Sequence, residues 1–359
     1  MGMPLFHSDT MSDEERAGAL LTGQPIDRVP FNLFGLAYLG VNAGYTVMEW
    51  YTDMQKAVDS GRMTSEQYGA MWLPFGGYPA LGPRELGGEV TWPTSEFSQC
   101  PNVEPAVKTE EEAWALEMPD PETLKTLGFV PDFMEAARIT KEAGVPYCVP
   151  VYGPWTTAGN IVGLDRLCRW TIKKPDLAHH VVRYATDFLV QVMQIVRDIV
   201  GPEHFWPLNS TASAANVIIS PKGFKEFVLP YLIDYHTKLI EMGAPSITFH
   251  LCGEQNLNYE FYPQVPLPPL SIISVSHEVD LDKASASFPD NMICGNIEPA
   301  LFQTGSGDEV YESCRIAIEK GKKHKRGFIL SPGCEMPPHA IPHNVWMMSK
   351  AVNDFGYYN

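Results

Sequence analysis

The sequence predicts a (β/α)₈ TIM barrel with an N-terminal elaboration, on three observations. From Asp120 onward, short apolar runs alternate with longer amphipathic segments, the order expected of right-handed βαβ units around a parallel sheet. Eight candidate strands can be counted: Phe31–Phe34, Met71–Phe75, Tyr147–Tyr152, Phe205–Leu208, Ile247–Phe249, Ile272–Val275, Met292–Cys294 and Phe328–Leu330. Eight strands favour a closed barrel over an open sheet. Finally, the residues of greatest chemical interest follow the fifth and eighth runs, on the carboxyl-end face where barrels of this class carry their active sites.

The first helix is expected to open at Ser12, with Glu15 three residues on completing a capping box, and to run to about Leu21 before Gly23-Gln24-Pro25 stops it. Arg28–Phe34 then reads as an extended apolar run. Residues 35–105 are rich in glycine, proline and aromatics, with helices expected near 46–59 and 64–71. A helix near 121–143 precedes the Tyr147–Tyr152 strand, and helices near 160–172 and 175–199 lead to a strand at His204–Leu208. A long helix over 220–242 brings the chain to the strand that ends in His250. The Leu270–Val275 run, a helix at 281–287, a strand at Asn291–Cys294, a helix at 307–321, the Phe328–Leu330 strand and a last helix near 343–354 complete the series. No repeat, low-complexity tract or linker interrupts it. The expectation is a single domain over 1–359, with 1–105 as elaboration and first strands and 106–359 as the regular part holding the site.

A chain of 359 residues with 45% hydrophobic and 19% charged residues can bury a large core. Its formal charge of −17 repels phosphate backbones and anionic lipids, which argues against nucleic-acid and membrane partners. No stretch approaches the roughly 18 apolar residues that a membrane span needs. Met1–Arg16 is polar and acidic, without the apolar core of a secretion signal. The seven cysteines are an odd number, so free or metal-bound thiols in a cytoplasmic setting are expected.

The most informative motif is His250-Leu251-Cys252, which closes the run Ser246-Ile247-Thr248-Phe249 and precedes Gly253. Alternate residues of a strand project to one side, so an imidazole and a thiolate are presented together. Cys334 follows the run Gly327–Leu330 through Ser331-Pro332-Gly333. One histidine and two cysteines at two strand ends suit zinc, and with no fourth cysteine close in sequence the site reads as catalytic, with an open position. His277 or Glu278, just past the sixth run, is a candidate fourth ligand or proton donor, though Glu278 reads equally well as a helix-start carboxylate. Cys294 could rival these ligands but suits the core, as do Cys100, Cys148, Cys168 and Cys314. His339 and His343 give a Cys-x₄-His-x₃-His spacing with Cys334, but Pro337, Pro338 and Pro342 break any helical register and leave His339 as a loop residue at the mouth. Tyr152, Asn209 and Glu298 follow strand ends, where each could orient a substrate or instead cap a helix or brace a loop. Phe31, Phe34, Tyr38, Trp72, Phe75 and Tyr78 make the first third aromatic, and Phe34, Tyr38 and Trp72 are taken as substrate contacts. Asp27-Arg28 reads as a structural ion pair.

Several of these segments together resemble the uroporphyrinogen decarboxylase superfamily. They are Asp27-Arg28-Val29-Pro30-Phe31 after an opening helix, Tyr152-Gly153-Pro154-Trp155-Thr156 with Ala158-Gly159, and Ile219-Ser220-Pro221 through Leu229-Pro230-Tyr231. Gly295-Asn296-Ile297-Glu298-Pro299 and Pro332-Gly333-Cys334 continue the likeness, which covers nearly the whole chain and implies a (β/α)₈ barrel. The superfamily's decarboxylases carry an Arg-Gln-Ala-Gly-Arg motif that grips the substrate carboxylates. The corresponding stretch here, Leu33-Phe34-Gly35-Leu36-Ala37-Tyr38, has no arginine. Its cobamide-dependent methyltransferases bind zinc through His-x-Cys and a distant cysteine, a pattern present as His250, Cys252 and Cys334. The resemblance therefore implies methyl transfer to or from a corrinoid (cobalamin) carried by a separate corrinoid protein, with zinc as cofactor. The small substrate would be a methylated donor, a methoxyarene suiting the aromatic first third best, or a thiol. Two alternatives stand beside this reading: decarboxylation without a metal, and a non-catalytic zinc- or corrinoid-binding scaffold. A homodimer is compatible with all three.

Overall fold

Six parallel strands in sequential order form the frame of the computed structural model, which describes residues 6, 8–93 and 100–358. A short antiparallel hairpin, β1 (Val90–Thr91) with β2 (Asn102–Val103), precedes them. The frame strands are β3 (Tyr147–Tyr152), β4 (Phe205–Ser210), β5 (Thr248–Leu251), β6 (Ile272–Val275), β7 (Met292–Ile297) and β8 (Phe328–Pro332).

The first two expected barrel strands do not form ladders. Phe31 makes a single parallel bridge to Leu330, supported by Leu330 N–H to Pro30 O at 2.9 Å and Asn32 N–H to Leu330 O at 3.0 Å. Met71 N–H reaches Phe31 O at 2.7 Å, while Cys148 and Tyr152 on β3 donate to Pro74 O and Pro79 O. Two extended segments thus span the gap between β8 and β3 through isolated hydrogen bonds. Pro30, Pro74 and Pro79 accept but have no N–H to donate, so a continuous ladder cannot propagate.

Most helices fall where expected, and the departures have local causes. Asp13–Leu21 carries the full capping box, with Glu15 N–H on Ser12 Oγ at 3.1 Å and Ser12 N–H on Glu15 Oε2 at 2.8 Å. The 121–143 segment divides into Pro121–Leu124 and Val130–Glu142 around Gly128, whose φ of +54° a side chain would resist. The 160–172 segment becomes Pro154–Val162 and Leu164–Lys173, separated at Gly163. Pro230 interrupts the α-helical ladder of 220–242, and the chain makes a wider π turn at Phe224–Val228 before Leu229–Glu241. The aromatic first third forms Ala37–Asn42, Val47–Thr52 and Met54–Tyr68. Among the described residues no helix is long and apolar enough to cross a membrane.

The expected Asp27–Arg28 ion pair is replaced by a wider network. Asp27 pairs with Arg16 at 2.6 Å, and Arg28 pairs with Asp9 at 2.9 Å and with Asp13 at 3.3 Å. Adjacent side chains on an extended segment point apart, so each finds its partner elsewhere.

Leu20, Ile272, Met292, Cys294 and Ile329 pack together inside the barrel, with Met71 and Trp206 against them. The strand register places Tyr152, Ser210, His250, Ser274, Cys294 and Ile329 in one row across β3 to β8. Alternate residues face out, so Phe249 meets His236 of helix Leu229–Glu241 at a ring-centroid distance of 4.8 Å.

Candidate metal centre

β5 ends with His250 pointing into the barrel, and its Nδ1 lies 2.9 Å from Ser274 Oγ on the neighbouring strand β6. Its Nε2 is buried and has no hydrogen-bond partner among the described residues. Leaving a buried ring nitrogen unpaired is costly, which makes this nitrogen a candidate ligand atom. Phe34 supports the ring edge-on at a centroid distance of 5.0 Å, its backbone at φ +37°.

Cys252 follows β5 and Cys334 follows β8. Their sulfurs approach to 3.5 Å, and one ligand atom from each of His250, Cys252 and Cys334 lies within 4.8 Å of the others. These separations suit donors around one ion, at metal–ligand distances of about 2.0–2.3 Å. Two thiols this close cannot both ionise unaided. The hydrogen bond from Cys252 pushes the Cys334 thiol down, helped by the His250 imidazole and the Glu335 backbone against the cost of burial. The same contact pushes Cys252 up, with burial and the Glu278 charge adding to it. A divalent cation would let both thiols ionise.

The loop beyond Cys252 is held by Gln255, which is fully buried. Its amide donates to Cys252 O at 2.7 Å and to both Thr211 O and Thr211 Oγ1 at 3.1 Å, and Tyr262 donates to its carbonyl. Neither Ser274 nor Gln255 was among the sequence candidates. A hydroxyl interrupting the apolar run Ile272–Val275 and an amide three residues past Cys252 were the available signals.

Tyr152 does reach the site. It shares the row of His250, and burial foremost, then the charges of Cys100, Glu335, Cys252 and Cys334, push its hydroxyl pKa up. Burial and the Glu335 charge also raise Tyr51, and burial with Cys100, Tyr152 and Glu335 raises Tyr78, so these rings share that acidic neighbourhood.

Other candidates lie elsewhere. Tyr38 is buried, with its hydroxyl 3.0 Å from that of Tyr68, because helix packing claims the aromatic first third. Trp72 lies against Gly61 of helix Met54–Tyr68, while its neighbours Met71 and Leu73 face the barrel interior. Asn209 faces outward next to inward Leu208 and meets His236 Nε2 at 2.7 Å. His277, Glu278 and Glu298 line an exposed groove of about 410 Å³ with Asp280, Asn296 and Lys320. Glu278 accepts from Ser276 Oγ at 3.2 Å, so its carboxylate braces its own turn. His339 is partly buried in the loop after β8 and outside the metal-ligand group, and the His343 ring stacks on Trp346. Cys294 is a core thiol that accepts from Asn32 Nδ2 at 3.3 Å, pushed up to about 11 by burial.

The uroporphyrinogen decarboxylase (URO-D) family model matches residues 12–355. The chain is 23% identical over 358 residues to the methylcobamide:CoM methyltransferase MtaA of Methanosarcina barkeri (strain Fusaro), covering 94% of this chain and 96% of that protein. It is 26% identical over 206 residues to the methylated-thiol–coenzyme M methyltransferase of Methanosarcina mazei, covering 56% of this chain and 53% of that one. It is also 25% identical over 274 residues to the uroporphyrinogen decarboxylase of Anaeromyxobacter dehalogenans, covering 72% of each. A solved methyltransferase from Methanosarcina mazei superposes with a TM-score of 0.79 at 21% identity, covering 96% of this chain and 99% of that chain, which establishes the shared fold.

Proposed function

The chain belongs to the uroporphyrinogen decarboxylase family, and from that premise we propose that it is a zinc-dependent, corrinoid-dependent methyltransferase. It would move a methyl group between a small substrate and the cobalt of a corrinoid carried on a separate protein. The observation that carries this reading is the convergence of His250, Cys252 and Cys334 around the unpartnered His250 Nε2. The relatives named as methylcobamide:CoM methyltransferases support the corrinoid side.

His250, Cys252 and Cys334 would hold the ion, which when bound supplies Lewis acidity to a methylated heteroatom or keeps an acceptor thiol ionised. Gln255 holds the Cys252 loop, and Phe34 and Tyr152 wall the space beside the ligands.

An aryl methyl ether is the favoured donor. The acidic groups acting on Tyr152 and Cys252 are Glu335 and Glu278, a field that suits a neutral substrate better than an anionic one. Methylation of a thiol is the second reading, favoured by the relatives whose names include coenzyme M. Decarboxylation leaves the donor set without a purpose. Seven cysteines, none in a disulfide, support a cytoplasmic setting.

The test is metal content of the purified protein, followed by spectroscopy of cob(I)alamin mixed with it and a panel of methylated donors. About one zinc per chain is expected from the ligand set, with methylcobalamin formed from a methoxyarene. Zinc without donor turnover shifts the assignment to thiol methylation, and absence of zinc overturns it.

A further inference from the structure

We propose that Ser274 is a positioning residue for the metal centre: its hydroxyl holds the His250 ring in the orientation that presents Nε2 to an ion and accepts the Nδ1–H of the ion-binding tautomer. This rests on the zinc reading above and extends it to a residue that does not touch the metal.

Both side chains are buried, Ser274 at 4% exposure and His250 at 2%. They are paired directly across β5 and β6, so they project side by side, and Ser274 Oγ lies 2.9 Å from His250 Nδ1. A neutral imidazole carries one N–H. With the hydrogen on Nδ1, Ser274 Oγ accepts it and the lone pair at Nε2 is directed toward the two thiols. The other tautomer would place an N–H at Nε2, where the ion must sit. The edge of Phe34 restrains the ring's tilt but is apolar, so it cannot choose between tautomers. Ser274 Oγ is the polar partner that accepts the Nδ1–H once an ion claims Nε2.

A hydroxyl also adds no charge. Two thiolates already balance a divalent cation, and a carboxylate in place of Ser274 would make the centre anionic and a weaker Lewis acid. The apolar strand around Ser274 fits this division of labour: Ile272, Ile273 and Val275 pack the core, and the one polar side chain of β6 faces the ligand.

The test separates the hydroxyl from its volume. A cavity of about 20 Å³, lined by Ser274, Thr248, Ile272 and Cys294, leaves space for one added methyl group. Ser274→Thr and Ser274→Val have nearly the same shape, and only the first keeps an oxygen. Zn²⁺ affinity of the full chain is measured by competition with a chromophoric chelator, with circular dichroism confirming the fold of each variant. Ser274→Val is expected to bind zinc about 10- to 100-fold more weakly, and Ser274→Thr to stay within about threefold of the unaltered chain. The proton on His250 Nδ1 in the zinc-loaded protein, followed by nitrogen-15 NMR, should be protected from exchange in the unaltered chain and Ser274→Thr, and should exchange faster in Ser274→Val. Equal weakening in both variants would assign the effect to packing and overturn the proposal. So would zinc affinity and a protected Nδ1 proton unchanged in Ser274→Val. Failure of the unaltered chain to bind zinc is a separate outcome, seen before any substitution, and it overturns the zinc reading together with this extension.

Discussion

Two buried polar clusters in this protein obey opposite rules. At the amino-end side of the barrel, Arg16 and Arg28 are about 1% exposed, yet Asp9, Asp13 and Asp27 satisfy their guanidinium groups. Backbone N–H groups of Thr10 and Met11 complete Asp27, and Tyr357 donates to Asp9. At the carboxyl end, His250 Nε2 is unpaired and two sulfurs face each other. The first cluster closes on itself and tethers the N-terminal segment. On the reading proposed above, the second would be completed by a metal ion. Buried polar groups cost folding free energy unless partnered, so a cluster that also converges three metal-type donors is a candidate ligand site.

The largest effect expected from this contrast comes from breaking each cluster in turn. Cys252→Ala or Cys334→Ala should abolish zinc binding while most of the fold survives; full retention of stoichiometric zinc in both would remove the site as drawn. Arg16→Ala should do the reverse, costing about 3 kcal/mol in denaturant unfolding because it strands the nearly buried Asp27 carboxylate while Asp9 and Asp13 keep Arg28, with zinc content of the folded fraction unchanged. Loss of zinc without loss of stability in Arg16→Ala would collapse the distinction.

Acid should separate the closed cluster from a third buried polar group. Burial pushes His236 down to about 4, against a carbonyl contact from Pro266 that raises it. The folded protein keeps His236 neutral while the unfolded chain takes up a proton below about pH 6.5, so stability falls as pH drops from 6.5 toward 4, by about 3 kcal/mol. Asp27 behaves differently. Burial alone would raise it, but hydrogen bonds from Arg16, Thr10 and Met11 outweigh burial and hold it at about 2. Its stabilisation of about 2 kcal/mol is therefore present above pH 3.8 and is lost only as pH falls from there toward 2. Urea unfolding of the unaltered chain and of His236→Gln, from pH 7 to pH 4.5, checks the first window; an unchanged slope in His236→Gln would refute it.

The smallest effect belongs to Tyr38. Removing the hydroxyl that meets Tyr68 at 3.0 Å and Asn42 Oδ1 at 3.4 Å, Tyr38→Phe should cost about 1 kcal/mol and leave turnover unaltered. A large fall in turnover at normal stability would return Tyr38 to the substrate pocket.

The candidate trio was legible because His-x-Cys at the end of an apolar run carries its own geometry: residues two apart share a face. Asn209 was not, because a parallel strand such as Phe205–Ser210 is buried on both faces and its sequence does not say which side is inside. Trp72 and Tyr38 misled for a related reason, since an aromatic in a glycine-rich stretch looks the same whether it lines a pocket or seals two helices. His277, Glu278 and Glu298 follow strand ends as expected and line the groove beside Lys320, from which the Glu278 charge still reaches Cys252.

The sequence by itself determined the alternating architecture, the capped first helix, the three candidate ligands and the strand ends that carry them, because each follows from local periodicity or from residue chemistry at fixed spacing. Only the tertiary structure decided that Cys252 and Cys334, 82 residues apart, meet at 3.5 Å, that Ser274 rather than a carboxylate partners His250, and that the first two staves close the barrel through isolated hydrogen bonds. Those outcomes depend on the register between strands, which long-range packing sets and no local pattern encodes.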